Sequence, residues 1–290
     1  MLNTREEIER WLIEVEVENY TINKDLTVDV DAGVYISFQD LDKIPVQFGE
    51  VKGDFDCSSN NLINLKGSPK KIGGDFDCSN NKLQNLKGAP VEMPEDFKCF
   101  RNLLLTLEGG PEIIKGDFNC SDNQLKNLKG CAREIYGDLY APKNKLINLI
   151  GCAKKILGSL DCSFNEIESL EGAPIEIGQS FNFYSNQLKS LKFSPKRIGR
   201  TFDGTDNMLK SIDGCPEEVG GRFSIQNNDD LEISSLKFFN CIVDGEIESG
   251  FGNDEEFLDI VKQQKAYSEK KELEPFIKPE LNCVIQKKRM

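Results

Sequence analysis

Histidine is missing from all 290 residues. Its absence removes the side chain most used for proton transfer near neutral pH and the commonest metal ligand, and it excludes serine–histidine and cysteine–histidine nucleophilic pairs. Also missing is any run of about 18 apolar residues, the length a membrane helix needs. The opening MLNTREEIER is charged where an export signal is apolar. These absences read as a soluble, cytoplasmic chain that engages no membrane. No CxxC pair and no phosphate loop occurs, and the ten cysteines are therefore expected to be reduced thiols and not a disulfide or zinc framework. Lysine and arginine total 36 against 49 aspartates and glutamates, a net charge of −13 that disfavours nucleic acid as a partner.

What the chain has in abundance is repetition. Counting from Val34, equivalent positions recur every 21 residues without insertion or deletion at Phe55, Phe76, Phe97, Phe118, Leu139, Leu160, Phe181, Phe202 and Phe223. Seven residues after each start stands an aliphatic side chain (Leu41, Leu62, Leu83 and onward to Leu209), and ten after it another (Ile44, Leu65, Leu86 and onward to Ile212). Seventeen after the start a further aliphatic column runs from Val51 through Ile72 and Met93 to Val219. Five after it comes asparagine in eight successive units, Asn60 to Asn207. A buried amide costs on the order of 1–3 kcal/mol unless its hydrogen bonds are made, so one amide per apolar unit requires a regular backbone to bind. A stack of identical coils supplies it.

The pattern F-x-C-x-x-N-x-L, carried by Phe76, Cys78, Asn81 and Leu83, resembles the leucine-rich-repeat signature. The resemblance implies a mainly β solenoid with a parallel sheet on its concave side. The second half of each unit, such as KGAPVEMPED, is rich in Gly and Pro and has little helical periodicity, which predicts an extended or turn-like convex side. Cys57, Cys78, Cys99, Cys120 and Cys162 then share an inward column with Ala141, Phe183 and Gly204, where cysteine acts as a small hydrophobe. Cys131, Cys152 and Cys215 fall in a second column with Ser68, Ala89, Gly110 and Ser194. Phe193 and Val46 depart from the repeat at a place where most units have glycine.

Terminal coils of a solenoid expose apolar faces and need caps. The expected organisation is an N-terminal cap over 1–33, nine repeats over 34–222, and a partial tenth repeat with a C-terminal cap over 223–290. Thr4 and Glu7 form a capping-box pair, and Ile8, Trp11, Leu12 and Val15 follow at helical spacing, so a helix is expected over 4–16 with a hairpin after it. Asn253 and Glu256 open a second candidate helix over 254–273.

On the strand face, residues flanking the inward ones are not dictated by packing, so a departure from the repeat there marks a candidate site. Lys98, Phe100 and Arg101, then Tyr140, Pro142 and Lys143, then Phe164 and Tyr184 interrupt an otherwise acidic and serine-rich wall; exposed aromatics with arginine are what interaction hot spots consist of. Asp54, Asp75, Asp96, Asp117 and Asp138 form one acidic column, and Asp56, Asp77, Asp161 and Asp203 belong to a second. Periodic carboxylates serve solubility, attract a basic surface or imitate DNA charge; their spacing matches neither an EF-hand nor a nonapeptide calcium roll.

The wording GDFDCSNNKLQNLKGAP, with the lead-in TREEIERWL and PVQFGEVKGDF, resembles short leucine-rich-repeat proteins encoded by tailed bacteriophages. That resemblance implies a role in an infected bacterial cytoplasm, sequestering or inhibiting a host protein such as a component of antiviral defence. The sequence thus reads as a non-enzymatic protein-interaction module that needs no cofactor or metal and exists as a monomer or small oligomer. The competing readings are a structural protein that self-associates and an acidic DNA mimic.

Overall fold

A computed structural model describes residues 1–232, 241–250, 259, 262 and 263. Helix α1 (Arg5–Glu14) begins at Thr4, whose hydroxyl accepts the Glu7 N–H while the Glu7 carboxylate accepts the Thr4 N–H. Ile8 and Leu12 are buried on its inner side, and the Trp11 ring meets Phe48. Strands β1 (Tyr20–Ile22) and β2 (Thr27–Val30) form the antiparallel hairpin. The coils follow: β3 (Val34–Tyr35), β4 (Gln47–Val51), β5 (Phe55–Asp56), β6 (Lys71–Ile72), β7 (Phe76–Asp77) and β8 (Glu92–Met93), with the same two-rung pattern continuing to Ile247–Glu248. The expected second helix, 254–273, lies almost wholly outside the described residues.

The chain is a mainly β, parallel-stranded solenoid of the leucine-rich-repeat kind. Its front sheet has eleven strands, each carrying a start residue, in strict chain order from β3 to Ile247–Glu248. Each rung is only two residues long, yet register holds throughout: Val34 pairs with Phe55, Phe55 with Phe76, and Phe76 with Phe97. The phenylalanines beneath are buried in a row with ring centroids 5.4–5.5 Å apart from Phe55 to Phe118, stacked from Phe55 to Phe97 and tilted between Phe97 and Phe118. The second half of each coil is more regular than its composition predicts. Residues sixteen and seventeen after each start form short parallel strands too, and these make a back sheet. The hairpin joins this sheet, because β2 pairs with β4.

The back sheet is split into four-stranded and eight-stranded parts between β6 and β8. Pro94 explains the split. In other coils the residue at its place donates an N–H to the coil before, as Gly73 does to Val51 (2.9 Å) and Lys115 to Met93 (3.0 Å); proline has no N–H to give. A second irregularity closes the array: Phe223 pairs with Ile247, 24 residues on. The extra residues enter after Asn228 and before the back strand Ile242–Val243, so the front turn keeps its form.

The asparagine column interlocks the coils. Asn81 donates to the Cys57 carbonyl of the preceding coil (3.0 Å) and to Cys78 and Ser79 of its own, and its Oδ1 accepts the Leu62 N–H (2.9 Å). The same set recurs at Asn60, Asn102, Asn123 and onward to Asn228. The inward cysteines sit beside it, fully buried, with burial pushing the thiols of Cys57, Cys78, Cys99, Cys120 and Cys162 well above their ordinary value. They stay protonated and inert, as packing requires.

Glycine twelve after each start, for example Gly67 at φ 104°, Gly130 at 86° and Gly214 at 83°, takes the left-handed conformation. Phe193 occupies that place at φ 68° with 64% of its surface exposed, a conformation that costs an L side chain roughly 1–2 kcal/mol. Phe193→Gly is therefore expected to stabilise the chain by about 1 kcal/mol. Asn123→Ala, which leaves the Leu104 N–H without its acceptor and takes one of two donors from each of the carbonyls of Cys99, Cys120 and Ser121, is expected to cost about 2 kcal/mol. Urea denaturation of the two variants checks both, and an Asn123→Ala protein as stable as its parent would contradict the interlock.

Candidate protein-docking face

The outward face of the front sheet is built from four positions per coil: one before the start and one, three and four after it. The first is occupied by the acidic column, and its carboxylates are engaged. Asp54 Oδ1 accepts the Asp75 N–H of the next coil (2.9 Å), Asp75 accepts from Asp96, Asp96 from Asp117, Asp117 from Asp138 and Asp138 from Ser159. Ser159 and Ser180 continue the ladder with hydroxyls. In the second column Asp56, Asp77, Asp161 and Asp203 each accept the N–H two residues on and so close the strand end, and Asn119 and Asn182 do the same without charge. Both acidic columns are thus first of all acceptors for backbone amides, a role absent from the sequence-based expectations.

Glycine shapes the corner where each coil turns from back to front sheet. A Cβ at Gly137 would lie 2.2 Å from the Asp117 carboxylate, and one at Gly158 2.2 Å from Asp138. Where the preceding coil has serine in place of aspartate, Gln179 and Arg200 stand at the glycine position. Four of the five ladder aspartates are followed by glycine at this corner, and Glu95 after Asp75 is the exception.

Against this wall the eight expected site residues do not behave alike. Lys98 is half-buried and holds Asp75 at 2.8 Å and Asp96 at 3.4 Å; burial opposes its charge, but those carboxylates outweigh it and hold the ammonium above its usual value. It belongs to the ladder more than to a docking surface. Tyr140 is half-buried and donates its hydroxyl to Asp138 at 2.7 Å, which with burial holds the phenol up. Phe100 and Pro142 are also half-buried. Phe164, 51% exposed, meets Tyr184 edge to face at 5.1 Å across adjacent coils. Arg101 and Lys143 are exposed, with Asp122 in the coil between them, 3.8 Å from the Arg101 guanidinium.

Arg101, Lys143 and Phe164 share a further property. Position four after the start is left-handed in every coil, at φ 51° to 54° for these three, where other coils have Ser59, Asn80, Asp122, Ser185 and Asp206. Asparagine and aspartate tolerate this conformation and serine closes local turns; arginine, lysine and phenylalanine have no such local compensation. The central coils thus bear strained side chains in the middle of a rigid sheet, and retained strain is a pointer to function.

Sequence reasoning passed over two residues of the same kind. Tyr35, one after the first start, and Phe38, four after it, are 61% and 81% exposed. Their offsets are those of Tyr140 and Phe164, so the signal was present in the repeat alignment. Among the described residues no group of three or more Cys, Asp or Glu is placed to hold a metal ion, and no helix is long and apolar enough to cross a membrane.

The geometry defines a leucine-rich-repeat-type solenoid presenting the outer face of an eleven-stranded parallel sheet. Compared with known proteins, the chain matches no protein-family model. No curated protein matches it either. Among solved structures it is similar to YopM from Yersinia enterocolitica WA-314, at 19% identity and a TM-score of 0.40, over 67% of this chain. The match spans 47% of that protein, about half its length.

One carboxylate of the face gives a pH test. Burial raises the Asp77 carboxyl above its ordinary value, with the Asp56 charge adding and Ser79 and Lys98 opposing. A carboxyl raised by folding costs stability once ionised: the cost is absent below the unfolded pKa, grows as pH climbs through the folded value and is complete at neutrality. Asp77→Asn keeps an acceptor for Ser79, as Asn119 does for Ser121. The variant is expected to be more stable than its parent at neutral pH and equal to it near about pH 3. A gain of the same size at both pH values would show that ionisation is not the cause.

Proposed function

We propose that the chain is a non-enzymatic binding module that docks a partner protein on the outer face of its front sheet, centred on Phe164, Tyr184, Lys143 and Arg101. The observation that carries this reading is the Phe164–Tyr184 pair: two aromatic rings in contact on an exposed face, one at a strained backbone position, with the Lys143 cation in the coil before. Packing explains none of it, because most other coils place a small or polar residue at these positions, such as Ser59, Asn80 and Asp122. Aromatic and arginine side chains on a preorganised surface supply binding energy at low entropic cost. The finer reading, that the partner is a host protein inhibited or sequestered in a bacterial cytoplasm, is supported by the wording of the repeats alone.

The repeat supplies its own control substitutions. Phe164→Asn, Tyr184→Ser and Lys143→Asp put into each coil a residue that another coil already carries at that place, as in Asn80, Ser163 and Asp122. The triple variant is expected to melt within a few degrees of its parent and to lose tenfold or more of its affinity for proteins captured from bacterial cells expressing the tagged chain. Undiminished capture by the folded variant would remove the face from consideration.

A further inference from the structure

The front sheet begins on an open edge. β3 pairs with β5 on one side, Val34 and Ile36 donating their N–H groups to the carbonyls of Asp54 and Asp56 at 2.8 Å. Backbone groups alternate in direction along a strand, so those of Gly33, Tyr35 and Ser37 point the other way. No strand among the described residues pairs with that side, since the N-terminal hairpin extends the back sheet only. Natural sheets blunt such edges with lysine, proline, a bulge or a covering element. Here the edge is bordered by Tyr35 and by Phe38, whose 81% exposure is the highest of any large apolar side chain among the described residues. Phe38 also holds φ at 55°.

Beside the edge lies a shallow acidic depression lined by Tyr35, Asp54, Asp56, Asp75, Asp77 and Lys98. Lys98 answers Asp75, while Asp54, Asp56 and Asp77 have no ion-pair partner among the described residues. Their backbone bonds use one oxygen each, Oδ1, and Asp54 Oδ2 lies 3.3 Å from the Tyr35 hydroxyl. A second copy of this chain is a poor occupant, because its own edge would bring the same carboxylates. Charge complementarity selects a basic strand.

We propose that β3 is a strand-addition site: a partner protein contributes an extended segment that hydrogen-bonds to Tyr35 and Ser37. Lysine or arginine side chains at its alternate positions, which all lie on one face of a strand, reach across Tyr35 toward Asp54 and Asp56, and Phe38 grips its end. This surface is distinct from the central patch, since three coils, about 14 Å at strand spacing, separate β3 from the coil of Arg101. Main-chain pairing gives such a site affinity, and the side chains give it specificity.

Three labelled peptides of about eight residues, the length of an ordinary strand, test the proposal by fluorescence anisotropy with the full chain. One alternates lysine and threonine, one alternates glutamate and threonine, and the third is the lysine peptide with its central amides N-methylated. The expected result is saturable binding of the lysine peptide, roughly tenfold weaker binding of the methylated one and none of the glutamate one. Asp54→Asn with Asp56→Asn keeps the acceptors for Asp75 and Ser58 and is expected to weaken binding roughly tenfold without a change in circular dichroism. Ser37→Pro, which removes an outward N–H and none of those that pair with β5, is expected to do the same in a variant whose circular dichroism matches the parent's. Equal binding of the lysine peptide and its methylated form would reduce the contact to unspecific charge and overturn strand addition, as would failure of the lysine peptide to saturate. A dimer of the parent chain dispersed by Ser37→Pro would assign the edge to a second copy and equally overturn the proposal.

Discussion

The Asn81 amide ties two coils together in both directions: its nitrogen donates backward to Cys57, its oxygen accepts from Leu62, and the remaining donor contacts close its own turn. No isolated coil can satisfy that side chain. Stability is therefore a property of neighbours, as nearest-neighbour descriptions of solenoids require, and it fixes the period. An insertion between a start residue and its asparagine would move the amide off the carbonyl it binds in the coil before. The one length change among the described coils, the 24-residue step from Phe223 to Ile247, falls beyond Asn228 and spares that geometry.

The same logic of backbone satisfaction accounts for the chain's charge and for its sulfur. Five carboxylates from Asp54 to Asp138 stand where a coil needs an acceptor for the next coil's amide, and serine replaces them without breaking the ladder. The acidity is then partly a by-product of choosing Asp as acceptor, which weakens the case for a purpose-built DNA mimic. In the second cysteine column Ser68 and Ser194 leave buried hydroxyls without a partner among the described residues. Cys131 and Cys152 fill the same place with a weak donor that needs none, and burial pushes the Cys131 thiol up to about 12. Cysteine is frequent here because it is a small side chain that makes no demand.

Much of this was legible in the sequence because periodic constraint repeats the same message nine times. Counting alone located the front strands, the aliphatic columns and the amide ladder, and the capping box at Thr4 and Glu7 located the first helix. The back sheet was read only as extended or turn-like chain, since a two-residue rung such as Lys71–Ile72 is too short to show strand alternation. The amide bonds of the acidic columns were hidden for another reason: a carboxylate facing water and one accepting an N–H from the next coil look alike in a repeat. Lys98 was grouped with the aromatic patch by its offset, and its partner Asp75 lies in the preceding coil, 23 residues back. Tyr35 and Phe38 stood in the right columns and escaped notice because an edge is defined by a neighbour that is lacking.

Strain by itself does not identify a working surface, and three phenylalanines of this chain show why. Phe38, Phe164 and Phe193 are all exposed and all left-handed, at φ 55°, 54° and 68°. Phe193 stands in a column otherwise filled by Gly172 before it and Gly214 after it, so it has no side chain of the same column to cooperate with. Phe164 is joined by Tyr184 and flanked by Lys143. Phe38 borders main chain that no strand among the described residues pairs with, and a depression rich in carboxylate. A solitary exposed ring offers a partner too little area to repay the freedom lost on association, whereas a ring beside another ring, or beside open hydrogen-bonding groups, adds to a surface already rigid. In a repeat array function is therefore to be sought where departures from the consensus accumulate in neighbouring coils or coincide with an end of a sheet, and a lone departure is better explained as tolerated drift.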